Sequence, residues 1–200
     1  MAPTTARLFF ALWPDEAMQT ALAAAVAAIV RDCDGRAVPA GNFHLTLAFL
    51  GSVPHSRFEA VIEAAAQCVQ SVSLNHLPIA VMLDSVEYWR KPQILCATGA
   101  TPPAAEKLAD ALKSALARHG FSPDLKPFRI HATFARKVRH VTRELHIEPV
   151  RWSFGHLHLV ESETGAAGAA RATTHGEAHA AAHASIYSTV EKWVLDKRDR

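Results

Sequence analysis

The sequence predicts an α+β fold of two lobes related by a rough twofold axis. Three observations carry that prediction. A strand–helix–strand succession is readable twice along the chain. Each half contains one apolar strand with a His-x-Thr triplet, Phe43-His44-Leu45-Thr46-Leu47-Ala48-Phe49-Leu50 and Arg129-Ile130-His131-Ala132-Thr133-Phe134-Ala135. The two triplets lie far apart, at 44 and at 131, as an internal duplication would place them. Beyond these motifs the halves share little sequence. The chain has 200 residues, 50% of them hydrophobic, enough for a single packed domain over 1–200 made of two small lobes.

Each element has a local cause. Arg7–Trp13 is an apolar strand, and Pro14-Asp15-Glu16 opens a helix with proline and acids in its first turn, reaching about Asp32. Asp34-Gly35 ends it. Phe43–Leu50 is a strand closed by Gly51. Ser56–Gln70 spaces Val61, Ile62, Ala65, Ala66 and Val69 as one helical face. Ile79–Val86 and Gln93–Thr98 are strands joined by a turn at Trp89-Arg90-Lys91-Pro92. Pro102–His119 is a third helix, with Leu108, Ala111, Leu112, Ala115 and Leu116 on one side and Gly120 at its end. Arg129–Ala135, Trp152–Val160 and Ile186–Leu195 complete the strands. Gly165–Ala184, nearly all Ala, Gly, Thr and His, offers nothing large to bury and is expected to be a low-complexity loop insertion.

A formal charge of +2 argues against coating long nucleic acid and leaves a short anionic end or small ligand open. Cys33, Cys68 and Cys96 are odd in number, widely spaced and set in apolar runs. That is the pattern of reduced, buried thiols in a cytoplasmic protein. The apolar run Ala17–Val30 is too short to span a bilayer, so no membrane partner is expected.

The motif strands carry the chemistry. Residues two apart on a strand share a face, so His44 projects with Thr46 and His131 with Thr133. Two imidazoles around one phosphorus can take a proton from a nucleophile and give one to a leaving alkoxide. The two hydroxyls can donate to non-bridging phosphate oxygens, where charge builds up. With 12 histidines in the chain, a bare His-x-Thr arises about once by chance. A third one, His140-Val141-Thr142, is flanked by Arg139 and Arg143 and is read as surface. For a phosphate-binding cation, alternation favours Arg129, which shares a face with His131; Arg136 would point away unless the strand ends or bulges first.

With these residues in view, the chain resembles the two-histidine phosphoesterase superfamily, and within it the RNA 2′,3′-cyclic phosphodiesterase or 2′-5′ RNA ligase family. The resemblance rests on Arg7-Leu8-Phe9-Phe10-Ala11, His44-Leu45-Thr46-Leu47-Ala48-Phe49-Leu50-Gly51, Trp89-Arg90, Pro127-Phe128 leading to His131-x-Thr133-x-x-Arg136, and Tyr187 followed by Lys192-Trp193-Val194-Leu195. It implies a bilobal fold of antiparallel sheets with outer helices and a central cleft. The implied reaction is metal-free and cofactor-free opening of RNA 2′,3′-cyclic phosphate ends, or small cyclic-phosphate nucleotides, to 2′-phosphomonoesters. Reversible 2′-5′ joining is a further implication. A monomer is expected, apart from the resemblance. His44 and His131 would be the acid–base pair, and Thr46 and Thr133 the phosphate donors. Arg136 matches the family arginine and takes precedence over Arg129. Phe10 would stack on the terminal base. Ala132 and Phe134 depart from the residues usual in the second motif.

Two other readings compete. His156-Leu157-His158 on one strand face, or His175, His179 and His183 at intervals of four, could form a metal-dependent hydrolase site. The same cleft could also bind RNA ends without catalysis. That second reading leaves unexplained why two groups that titrate near neutrality are both kept.

Overall fold

The computed structural model describes residues 4–72, 77–124, 126–141, 145–163 and 185–195. Strand β1 (Thr5–Leu12) leads into helix α1 (Glu16–Asp32), whose first turn is capped by Asp15 accepting from the Met18 amide at 2.8 Å. A short β2 (Arg36–Ala37) precedes β3 (Leu45–Pro54) and α2 (Phe58–Ser71). Then come β4 (Ile79–Leu83), β5 (Ser85–Trp89), β6 (Ile94–Thr98) and α3 (Pro103–Arg118), which has proline at its start. Strands β7 (His131–Arg136), β8 (Val150–Phe154), β9 (His156–Glu163) and β10 (Ile186–Val194) follow.

Among the described residues the strands form three antiparallel sheets. One has the order β10-β9-β1-β3, another β2-β7-β6-β5, and β4 pairs with β8 alone. Each four-stranded sheet thus holds one motif strand. A shared core joins them: Leu8, Phe10 and Leu45 from the first sheet pack in one cluster with Leu95 and Phe134 from the second and with Leu108, Leu112 and Val61 from the helices. Trp152, fully buried, satisfies its indole by donating to the Met18 carbonyl at 2.9 Å.

Three expectations change. The strand expected to stop at Gly51 runs on to Pro54, because Gly51 adopts φ +70° and, beside the irregular register at Leu50, bends the strand without ending it. The run expected as one strand over Ile79–Val86 breaks at Asp84 into β4 and β5, which belong to different sheets. Trp152–Val160 likewise divides at Gly155 into β8 and β9. An apolar run reads the same whether it serves one sheet or turns between two. The expected insertion, Gly165–Ala184, lies outside the described residues.

Phe134 is fully buried in the second motif strand, within the core that both lobes share. Phe134→Ala is expected to lower unfolding free energy by about 3–5 kcal/mol in chemical denaturation, through lost transfer energy and the cavity left behind.

Candidate active site

The two motif strands solve the same problem in the same way. Along 43–49 the pattern is buried Phe43, half-buried His44, buried Leu45, half-buried Thr46, then two buried residues in succession, Leu47 and Ala48, before exposed Phe49. Along β7 it is half-buried His131, buried Ala132, half-buried Thr133, buried Phe134 and Ala135, then exposed Arg136. The doubled apolar pair marks a β-bulge. β1 pairs Ala11 with Thr46 and Phe10 with Ala48, skipping Leu47. β6 pairs Cys96 with Thr133 and Leu95 with Ala135, skipping Phe134. One extra residue shifts the alternation by one, so the residue three places after each threonine rejoins the face of the histidine. This is how Arg136 reaches the cleft despite its odd offset. Phe49 holds the equivalent place in the other half, which the motif analysis missed. The signal was present in the sequence as Thr-Leu-Ala-Phe matched by Thr-Phe-Ala-Arg.

Among the described residues, two hollows that share Thr46 and Phe49 lie along the cleft. The smaller, about 270 Å³, is lined by Arg7, Phe9, His44, Arg136, Ser162 and Tyr187 among others. The larger, about 650 Å³, is bordered by His131, Trp89, Glu87 and the 126–129 segment. Each imidazole therefore borders its own hollow, and Thr46 stands where they meet.

Both rings are oriented alike. His44 Nδ1 lies 2.8 Å from the Asn42 carbonyl, and His131 Nδ1 lies 2.9 Å from the Arg129 carbonyl, each two residues upstream. A carbonyl only accepts, so Nδ1 carries the hydrogen in both, leaving Nε2 as the nitrogen that titrates. The surroundings differ. His44 stacks on Trp13 (ring centroids 4.9 Å apart, planes 8° apart) and touches Phe9 and Tyr187 at 5.0 and 5.3 Å. Burial pushes its pKa down to about 4, helped by the positive charges of Arg136 and His131. His131 packs on Trp89 at 4.7 Å. Burial lowers its pKa too, with Arg129 and Arg136 adding to the fall, while Glu87 opposes it.

The remaining expected residues fall into place unevenly. The Thr133 hydroxyl shares the His131 face and lies 3.5 Å from the buried Cys96 thiol, whose own pKa burial pushes up to about 11. Arg129 borders the larger hollow, but its guanidinium is held by Glu87 at 2.8 Å. Phe10 is not a cleft residue. It is fully buried in the core and packs against Trp193 at 6.0 Å. Strand alternation sends Phe9, not Phe10, to the cleft side, and Phe49 is the aromatic there with substantial exposure, 42%. His156 and His158 do share a face, with ring centroids 6.3 Å apart, yet among the described residues no third donor completes a metal-binding group. His175, His179 and His183 lie outside the described residues, as does Thr142 of the third triplet.

A family model described as the 2′-5′ RNA ligase superfamily matches residues 16–166. The chain belongs to the 2′-5′ RNA ligase superfamily. Among curated proteins it is similar to the RNA 2′,3′-cyclic phosphodiesterase of Escherichia coli (strain K12), 33% identical over 103 residues. That match spans 51% of this chain and 55% of the relative, about half of each. Among solved structures it is similar to E. coli LigT complexed with 3′-AMP, with a TM-score of 0.75 at 24% identity, covering 96% of this chain and 99% of that one. It is also similar to TT0787 of Thermus thermophilus, with a TM-score of 0.69 at 22% identity, covering 94% and 97%. The superfamily fold thus extends over nearly the whole of the chain, in agreement with the α+β architecture read from the sequence and the antiparallel sheets that the resemblance implies.

The contrast between the two rings can be measured. Titrating the histidine ring signals by NMR is expected to give a midpoint near pH 4 for His44 and a higher one, still below the ordinary 6.5, for His131. Trp13→Ala opens the packing around His44 and is expected to raise its midpoint, because less burial penalises the charged ring less.

Proposed function

We propose that this protein hydrolyses 2′,3′-cyclic phosphates at RNA 3′ ends, or on small nucleotides, to 2′-phosphomonoesters without a metal ion, with reversible 2′-5′ joining as an accompanying activity. One observation carries the reading. Two imidazoles from corresponding strands, with identical Nδ1 anchoring, border adjoining hollows that meet at Thr46. Membership of the superfamily and the likeness to a cyclic phosphodiesterase support it.

The chemistry follows from the donors present. An anionic phosphate seated at Thr46 meets the hydroxyl donor and the Arg136 guanidinium on the same side as His44. On Thr133, the matching hydroxyl extends the grip from the other strand. One imidazole Nε2 takes the proton of the attacking water; the other gives its proton to the departing ribose oxygen, so the pair acts in its singly protonated form. The charge accumulating on the non-bridging oxygens is met by Arg136 and the threonines. Phe49, exposed on the cleft beside Arg7 (guanidinium 5.4 Å from its ring), is the surface we assign to the terminal base in place of Phe10. A monomer in the cytoplasm completes the proposal. Among the described residues the three cysteines are free, and no helix is long and apolar enough to cross a membrane.

The pH dependence has a defined sign. Both rings are neutral in the empty cleft at neutral pH, and the singly protonated pair is populated between its two midpoints. The bell in kcat/KM is therefore expected to lie on the acid side of neutrality, its acid limb near pH 4 and its alkaline limb below 6.5. Bound phosphate, being anionic, raises both midpoints, so the bell in kcat should lie at higher pH. Equal positions for the two bells would count against a phosphate seated between the rings.

Incubating the protein with a short RNA bearing a 2′,3′-cyclic end, in the presence of EDTA, should yield the 2′-phosphate isomer. His44→Ala and His131→Ala should each reduce turnover at least a hundredfold and abolish the bell. Loss of activity in chelator would favour the metal-dependent reading. Binding of the RNA end with no turnover would favour the non-catalytic one.

A further inference from the structure

The hollow beside His131 is larger than hydrolysis requires. A water molecule occupies about 30 Å³ of liquid, whereas this space measures about 650 Å³, within the range of organic-ligand sites. It adjoins the smaller hollow through Thr46 and Phe49, so a chain leaving one can enter the other. We propose that it is a second-nucleotide subsite, which seats the residue next to the terminal one and makes the protein selective for oligonucleotide ends over cyclic mononucleotides. The inference rests on the phosphodiesterase reading above.

The wall of the hollow has the two features that single-strand recognition needs. Trp89 supplies a flat aromatic face, held rigid because its indole nitrogen donates to Glu87 Oε2 at 2.8 Å. The other oxygen of Glu87 accepts from Arg129 at 2.8 Å, and the Arg129 guanidinium stands 5.9 Å from the Trp89 ring. Glu87 is thus engaged on both oxygens and presents little free negative charge. Asp124 is likewise paired, with Lys126 at 3.6 Å. Three cationic side chains, Lys113, Lys126 and Arg129, face two carboxylates, Glu87 and Asp124, which leaves one positive charge in surplus. A single phosphodiester linkage carries one negative charge. Lys113 is almost wholly buried, with its amine donating to the Lys126 carbonyl at 2.6 Å, so it fixes the segment that carries Lys126 on the rim.

The test compares two substrates on the full chain: a 2′,3′-cyclic mononucleotide and a dinucleotide ending in the same cyclic phosphate. The dinucleotide is expected to have a kcat/KM at least tenfold higher, an advantage that falls as salt is raised. Lys126→Glu should cut that advantage at least fivefold while mononucleotide turnover stays within twofold. Trp89→Leu should cut it as well. Here the ratio of the two substrates is the reading, since any effect passed through His131 falls on both. Equal kcat/KM for the two substrates in the unaltered protein would overturn the subsite while leaving the phosphodiesterase reading intact. An advantage untouched by both substitutions would place the second nucleotide elsewhere and overturn it too. Absence of turnover on either substrate would instead overturn the reading on which it rests.

Discussion

The whole site depends on one register irregularity used twice. In an undisturbed strand, the residue three places after a threonine faces away from it. Here Leu47 and Phe134 each take an extra place opposite a partner strand that continues regularly, and the next side chain but one comes back to the cleft. Without the bulges, Arg136 and Phe49 would point into the core, where a guanidinium has no partner. The buried pairs Leu47-Ala48 and Phe134-Ala135 are the packing counterpart of the same event: two successive residues are buried, and the second of each is small. Core packing and the polar face are thus set by a single backbone choice in each half.

The two imidazoles, alike in anchoring, are unlike in surroundings. Four aromatic rings cluster on one side of the cleft, Phe9, Trp13, Tyr187 and Phe49, and His44 sits among the first three. His131 has one indole and a carboxylate in its electrostatic field. A symmetric fold therefore yields an asymmetric pair, and the acid–base roles proposed for it call for that difference: one ring holding a proton while the other lacks it.

Much of this was legible in the sequence, for identifiable reasons. The helices announced themselves through Pro14-Asp15-Glu16, through Pro102-Pro103 and through Gly120, which adopts φ +75° as a helix-terminating glycine does. His44, Thr46 and His131 were readable because period two is strict up to each threonine. Arg136 was recoverable only by resemblance, since alternation counts places and a bulge adds one. Phe10 went astray because both Phe9 and Phe10 are aromatic, and nothing local says which of two neighbours faces inward; the pairing with β3 and β9 settles that. The hollow beside His131 could not be foreseen, as it joins β3, β5, α3 and the 126–129 segment, which only folding brings together.

The order of strands has a consequence for how the molecule is made. The sheet bearing His131 draws all its strands from residues 36–136, whereas the sheet bearing His44 unites residues 5–54 with 156–194. On a ribosome, β1 emerges early and must wait for β9 with one edge open. The sheet that begins first along the chain is completed last, and a nascent chain that has not yet released β9 exposes an open apolar strand edge to any chaperone or aggregating neighbour within reach.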